Sequence, residues 1–216
     1  MKKSVFLSVM IFFNAILFAQ DGSDYMNIMV KQKNAFRMTH TVDGFQSLAN
    51  DYERIANAEI DKWQPLYYAA LCYLNMSFIT DDLDKVDGYL DSAQPFIDRA
   101  LEIYPDESEL HVLQGMLYQA RIKVDAAGRG MQYSMKATEE LNKAKEYNRD
   151  NPRVYYLLGM NVLHTPESFG GGAEAACPYF KKADQLFKSY VPENVLSPTW
   201  GPERNQQLLS SNCQGN

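Results

Sequence analysis

Small apolar residues recur along the chain at helical spacing. Alanines occur as pairs seven residues apart, and the pairs begin at Ala49, Ala93, Ala137 and Ala176. The first three pairs start 44 residues apart, and the fourth starts 39 residues later. Residues seven apart lie on one face of an α-helix, where a small side chain lets a second helix approach closely. The pattern therefore predicts a series of helices that pack through their alanines.

Segments rich in large apolar residues follow the first three of these pairs. They are PLYYAALCY (65–73), ELHVLQGMLY (109–118) and PRVYYLLGM (152–160). Leu71, Gly115 and Gly159 fall in one column of these segments, again 44 residues apart. Turn-forming clusters separate the helical segments, and no sustained alternation of apolar and polar residues indicates a strand. The sequence predicts an all-α protein of antiparallel helix pairs, in which no pair buries its apolar face alone.

Residues 92–118 resemble a tetratricopeptide repeat (TPR). The residues that stand at the consensus offsets of that family are Ala93, Ile97, Ala100, Pro105, Gly115 and Tyr118. The resemblance covers most of residues 42–189, although the period is 44 residues where the family has about 34. It implies a right-handed α-solenoid of about three to four repeats, with the extra residues placed between the two helices of each pair.

The first 20 residues have the pattern of a signal peptide. Two lysines precede an apolar run that ends at Phe18, and Ala19 follows as a small residue at a cleavage site. The run is shorter than the roughly 20 apolar residues of a membrane-spanning helix. We expect cleavage, no integral membrane segment afterwards, and a periplasmic or secreted protein.

The expected organisation has three parts. They are a signal peptide over 1–20, a TPR-like helical repeat domain over 21–190 and a C-terminal tail over 191–216. The end of a solenoid needs a cover, so the tail is expected to cap the last helix pair. The alternative is that the tail folds into the groove of the solenoid and fills it.

Charge and motifs exclude several functional classes. The formal charge is −6, and loss of the two lysines of the signal peptide would make it −8. Because no basic cluster remains, nucleic acid is not an expected partner. The three histidines, His40, His111 and His164, lack the spacing of metal ligands. No catalytic constellation and no cofactor motif is present, so neither an enzyme nor a metal site is expected.

A triple glycine at 170–172 interrupts the last helix pair. A phosphate loop would need GxxxxGK[ST] or GxGxxG after a strand, and neither pattern is present. The preferred interpretation is a corner between two helices, for which glycine supplies unrestricted backbone angles. Anion capture at the start of the following helix is the alternative.

The three cysteines have different expected roles. Cys72 lies in an apolar run and is expected to be buried. Cys177 and Cys213 both lie near the C-terminus and are candidates for a disulfide in an exported chain. Pairing does not follow from sequence alone, so the disulfide stays open at this point.

The TPR resemblance also implies which residues line the concave groove, namely columns of the first helix in each pair. These columns hold Tyr68, Asn75, Met76, Val112, Met116, Gln119, Arg153, Tyr156, Met160 and His164. Aromatic and methionine side chains give adaptable contact area. The main hypothesis is therefore a non-catalytic scaffold that binds a protein or peptide partner. The alternative is a periplasmic small-ligand carrier, or a transporter-associated component, with a pocket enclosed by the long helices.

Overall fold

The protein is all-α over residues 24–213, the part that the computed structural model describes. The predicted signal peptide, residues 1–20, lies outside the described residues. The helices are α1 (24–38), α2 (Val42–Ala58), α3 (Trp63–Ile79), α4 (Leu83–Ile103), α5 (Ser108–Ile122), α6 (Ala126–Tyr147), α7 (Pro152–His164), α8 (Ala173–Ser189) and α9 (Pro202–Asn212). None of them, within the described range, has the length and apolar character needed to cross a membrane.

Short polar side chains begin several of these helices. Thr41 accepts a hydrogen bond from the backbone amide of Gly44, and Asp125 accepts one from that of Gly128. Asn151 caps α7 in the same way, with Pro152 as the first helical residue. Such caps satisfy amides that have no partner within the helix, so they fix where each helix starts.

Successive helices pack as antiparallel pairs in two layers. Helix α5 contacts both α3 and α7, and these three form the inner layer, while α4, α6 and α8 each pack against their own partner. All eight alanines of the recurring pairs are at most 1% exposed. At Gly159 an added Cβ would lie 2.6 Å from Cε1 of Phe180 on α8, so only glycine permits this approach. The predicted helical solenoid is confirmed.

The residues that lengthen each repeat go mainly into its second helix. Helices α4 and α6 contain 21 and 22 residues, against 17 and 15 in α3 and α5. Met131 and Met135 in the first half of α6 are exposed.

The triple glycine forms the corner between α7 and α8. Gly170 and Gly172 have φ angles of 81° and 95°, which L side chains rarely adopt. At Gly171 an added Cβ would lie 2.0 Å from the carbonyl oxygen of Thr165. Backbone geometry and space therefore both require glycine here, as the corner interpretation predicted.

The C-terminal tail both enters the groove and covers the last helix. Nζ of Lys33 on α1 donates to the carbonyl oxygens of Val195 and Ser197 at 2.7 and 2.6 Å. The Tyr68 hydroxyl on α3 donates to the carbonyl oxygen of Leu196 at 2.8 Å. Residues 195–197 thus lie against α1 and α3 on the concave side. Beyond them α9 packs on α8, so the two alternatives for the tail are not exclusive.

A disulfide joins the end of the tail to α8. The sulfur atoms of Cys177 and Cys213 are 2.02 Å apart. The side-chain amide of Asn205 adds a hydrogen bond of 3.0 Å to the carbonyl oxygen of Phe180. Cys72 is a free thiol in the core.

Candidate functional site

A cavity of about 720 Å³ opens between the inner helices, α1 and the tail; we call it the concave cavity. Its lining is mainly aromatic, aliphatic and methionine side chains, with a few polar groups. The lining residues are Phe36, Leu71, Asn75, Phe78, Met116, Gln119, Ile122, Lys123, Tyr156, Leu157, Met160, Asn161, His164, Trp200 and Arg204. The volume falls within the range of about 300–1,000 Å³ typical of small-molecule sites.

Trp200 and Tyr156 form one wall of the concave cavity. Their rings meet edge to face, with centroids 6.3 Å apart. The indole Nε1 of Trp200 donates to the Tyr67 hydroxyl at 2.8 Å, which fixes the orientation of the ring. Phe36 of α1 contacts Tyr68 edge to face with centroids 5.8 Å apart. The wall is therefore made of aromatic rings held in place by neighbouring side chains.

Several polar side chains of the lining are engaged by the fold itself. The side-chain amide of Gln119 donates to the carbonyl oxygen of Leu157 at 2.8 Å. The side-chain amide of Asn75 donates to the carbonyl oxygen of Leu71 at 2.7 Å. Nζ of Lys123 donates to three carbonyl oxygens at the end of α3 and the residue that follows, 2.9 to 3.3 Å away. These donors are already satisfied, so the cavity offers shape and apolar contact more than hydrogen bonds.

The structure distributes the ten predicted groove residues over four environments. Six of them line the concave cavity: Asn75, Met116, Gln119, Tyr156, Met160 and His164. Tyr68 lines a smaller adjoining cavity. Met76 and Val112 belong to the hydrophobic core, and Arg153 is 1% exposed beneath the tail. The inner helices are themselves covered by α1 and the tail, so not every column of the TPR groove faces open space.

Three lining residues come from outside the repeats and were missed by the sequence analysis. They are Phe36 on α1, Trp200 in the tail and Arg204 on α9. The repeat pattern carries no information about the chain ends, and residues far apart in sequence meet only in the folded solenoid. The one signal was the apolar content of the tail, which includes Trp200.

A buried ion pair lies beneath the tail. Nε and Nη2 of Arg153 donate to the Glu109 carboxylate at 2.7 to 2.9 Å. Burial alone would lower the pKa of Arg153, but the adjacent Glu109 carboxylate outweighs it and raises the pKa. The guanidinium carbon lies 4.6 Å from the ring centroid of Tyr190 and 5.7 Å from that of Trp200. Arg153 therefore helps to hold two aromatic residues of the tail region against α7.

A second cavity, of about 550 Å³, has the opposite chemistry; we call it the acidic cavity. Its lining includes Glu107, Glu109, Asp150, Glu193, Trp63 and Tyr190. Burial, together with the neighbouring Glu109 and Glu193 carboxylates, raises the pKa of Glu107. The two cavities share none of their lining residues, and Arg153 contacts one ring from each.

Comparison with known proteins supports a fold assignment and one close structural likeness. No family model and no curated protein sequence matches the chain. Among solved structures, the HusA haemophore from Porphyromonas gingivalis is similar with a TM-score of 0.79 and 28% identity, over 89% of this chain and 95% of that chain. A thermophilic TPR protein from Thermus thermophilus is similar with a TM-score of 0.53 and 16% identity, over 92% of this chain and 96% of that one. The predicted TPR-like fold is thus confirmed.

Proposed function

We propose that this TPR-like helical-repeat protein is an exported, non-catalytic carrier that binds haem in its concave cavity. One observation carries the proposal: an aromatic and methionine-lined cavity of about 720 Å³ lies in a chain that is similar, over 89% of its length, to a haemophore. The proposal takes up the small-ligand alternative of the sequence analysis in place of the protein or peptide partner.

The chemistry of the concave cavity suits a planar apolar macrocycle. Trp200, Tyr156 and Phe36 offer aromatic surface, which packs well against another aromatic system. Met116 and Met160 add polarisable side chains that adapt to the shape of a ligand. Because most polar donors of the lining are already satisfied, a large apolar ligand would leave few polar groups without partners.

The position of the tail weighs against a peptide as the main ligand. An extended or helical peptide needs an open groove along the inner helices. In this protein residues 195–197 and Phe36 already occupy part of that surface. The remaining space is a compact cavity, which favours a small molecule.

Export fits the same function. The proposed carrier would act outside the cytoplasm, since the pattern of residues 1–20 predicts a signal peptide. The Cys177–Cys213 disulfide is the kind of crosslink that persists in an oxidising compartment. A secretion test with a carboxy-terminal tag would check this part separately.

Titration of the purified mature protein with haem tests the proposal. We expect a saturable change in the haem absorbance with one haem per chain and a Kd of about 1 µM or tighter. Iron-free protoporphyrin should be titrated in parallel. Binding of both porphyrins assigns the affinity to contacts with the macrocycle, whereas binding of haem alone points to iron coordination by a lining side chain. Failure of both to bind would contradict the proposal.

Two methionine variants locate the site. Met160→Glu places a carboxylate in the concave cavity, and we expect at least about tenfold weaker haem binding, because the charge loses water when the ligand enters. Met131→Glu is the matched control, since Met131 is 72% exposed on α6 outside the cavity. Equal affinities in the two variants would place the ligand elsewhere.

A further inference from the structure

The concave cavity continues into a smaller cavity with a cationic lining. This annex has a volume of about 380 Å³ and shares Phe36, Asn75 and Trp200 with the concave cavity. Its other lining residues include Lys33, Arg37, His40 and Glu203. A ligand that fills the concave cavity would therefore reach the annex past the rings of Phe36 and Trp200.

We propose that Arg37, with Lys33 and His40, forms a carboxylate-binding annex that holds the acidic groups of the ligand. The inference rests on the proposed function and names the ligand class more closely as an amphiphilic anion. The macrocycle of such a ligand lies in the concave cavity, and its carboxylates lie in the annex.

Arg37 is the cation best placed to accept a new partner. Within residues 24–213 its guanidinium makes no hydrogen bond or ion pair, and the side chain is exposed at the annex. A guanidinium presents paired donors that match the two oxygens of a carboxylate. Arg37 can therefore bind a carboxylate without breaking an existing contact.

Lys33 adds charge but is partly committed to the fold. Its Nζ donates to Val195 and Ser197, which leaves one of its three protons free. Burial lowers the pKa of Lys33, and the nearby Arg37 guanidinium adds to the effect. An anion between the two cations would relieve this repulsion. Glu203 is the one carboxylate in the annex and opposes anion binding.

Other cations at the concave cavity are less suitable. Lys123 donates to three backbone carbonyl oxygens and has no proton left to offer. Arg204 lines the concave cavity itself and donates to Gln207 at 3.1 Å. Arg204 is therefore the competing candidate and supplies the matched control.

The test compares mesoporphyrin with its dimethyl ester, which has the same macrocycle but no ionisable carboxylate. In one detergent-containing buffer, the unmodified protein should bind the diacid about tenfold more tightly than the diester. In Arg37→Gln/His40→Gln, which keeps only Lys33, that preference should fall at least about threefold, while the affinity for the diester stays unchanged. Both substituted residues are exposed, so the fold should persist.

Two further variants make the test specific. Arg204→Gln should keep the preference for the diacid, and Glu203→Gln should increase it about twofold to threefold, since a like charge is removed. Loss of the preference in Arg204→Gln, but not in Arg37→Gln/His40→Gln, would overturn the annex while leaving the carrier function standing. If neither mesoporphyrin nor its dimethyl ester binds while haem does, the annex is overturned and the carrier function stands; if haem also fails to bind, both proposals are overturned.

Discussion

The concave cavity and the acidic cavity are both lined in part by the tail, but they differ in their chemistry. The first is lined by aromatic rings and methionines whose polar neighbours are engaged by the fold. The second is lined by carboxylates, of which Glu107 carries a raised pKa because of burial. A cavity of similar size can thus be a site for an apolar ligand or a solvated cleft. What distinguishes the two cavities is whether their polar groups already have partners in the fold; their volumes do not distinguish them.

The boundary between the two cavities is the Glu109–Arg153 ion pair. Glu109 lines the acidic cavity, and Arg153 contacts the rings of Tyr190 and Trp200. If this boundary fails, Trp200 loses one of its supports and the concave cavity loses part of its wall.

The largest effect is expected from Arg153→Met. The substitution leaves the Glu109 carboxylate buried without its cation, and removal of one partner of a buried pair costs about 3–5 kcal/mol. We expect the free energy of unfolding in urea to fall by that amount. Arg153→Met/Glu109→Met is the control, because an apolar pair of similar volume should recover much of the loss. A change below about 1 kcal/mol in the single variant would show that water reaches the pair.

Removal of the disulfide should have the next largest effect. The crosslink ties α9, and with it the tail that carries Trp200, to α8. We expect the free energy of unfolding of Cys177→Ser/Cys213→Ser to be about 2–4 kcal/mol lower. The double variant should also bind haem more weakly, while the acidic cavity keeps its lining helices. Thermal unfolding and haem titration measure the two effects. Reductant should lower the melting temperature of the unmodified protein and leave the double variant unchanged; a response in the variant would show that the reductant acts on something other than this disulfide.

The smallest effect concerns Glu107 in the acidic cavity. Its pKa is raised in the folded state, so the folded protein binds a proton more tightly and stability falls as pH rises through the ordinary value of 4.5 and the folded value. Glu107→Gln keeps a side-chain oxygen that accepts from the backbone amide of Glu109. The substitution should remove this loss of stability and raise the free energy of unfolding by about 0.5 kcal/mol at pH 7. Urea unfolding between pH 4 and pH 7 measures it. Haem affinity should not change; if it does, the two cavities are coupled.

The sequence predicted the repeated part of the fold far better than the site. The alanine pairs, Gly115 and Gly159 indicate helix contacts directly, since a small residue at a crossing has one dominant role. The cavity was harder to predict, because it depends on Phe36 and Trp200, which lie 164 residues apart and belong to no repeat. Arg153 was assigned to the groove because its column faces the concave side, where the tail covers it.

The contact of Lys33 with residues 195 and 197 brings the two ends of the chain together across the solenoid. The stacked hairpins supply most of the core and much of the lining of the concave cavity, and Phe36 and Trp200, outside the repeats, complete its wall. Substitutions at these two positions can therefore change the shape of the cavity while the repeats stay intact. A chain growing from its amino terminus cannot close this cavity until Trp200 has been added.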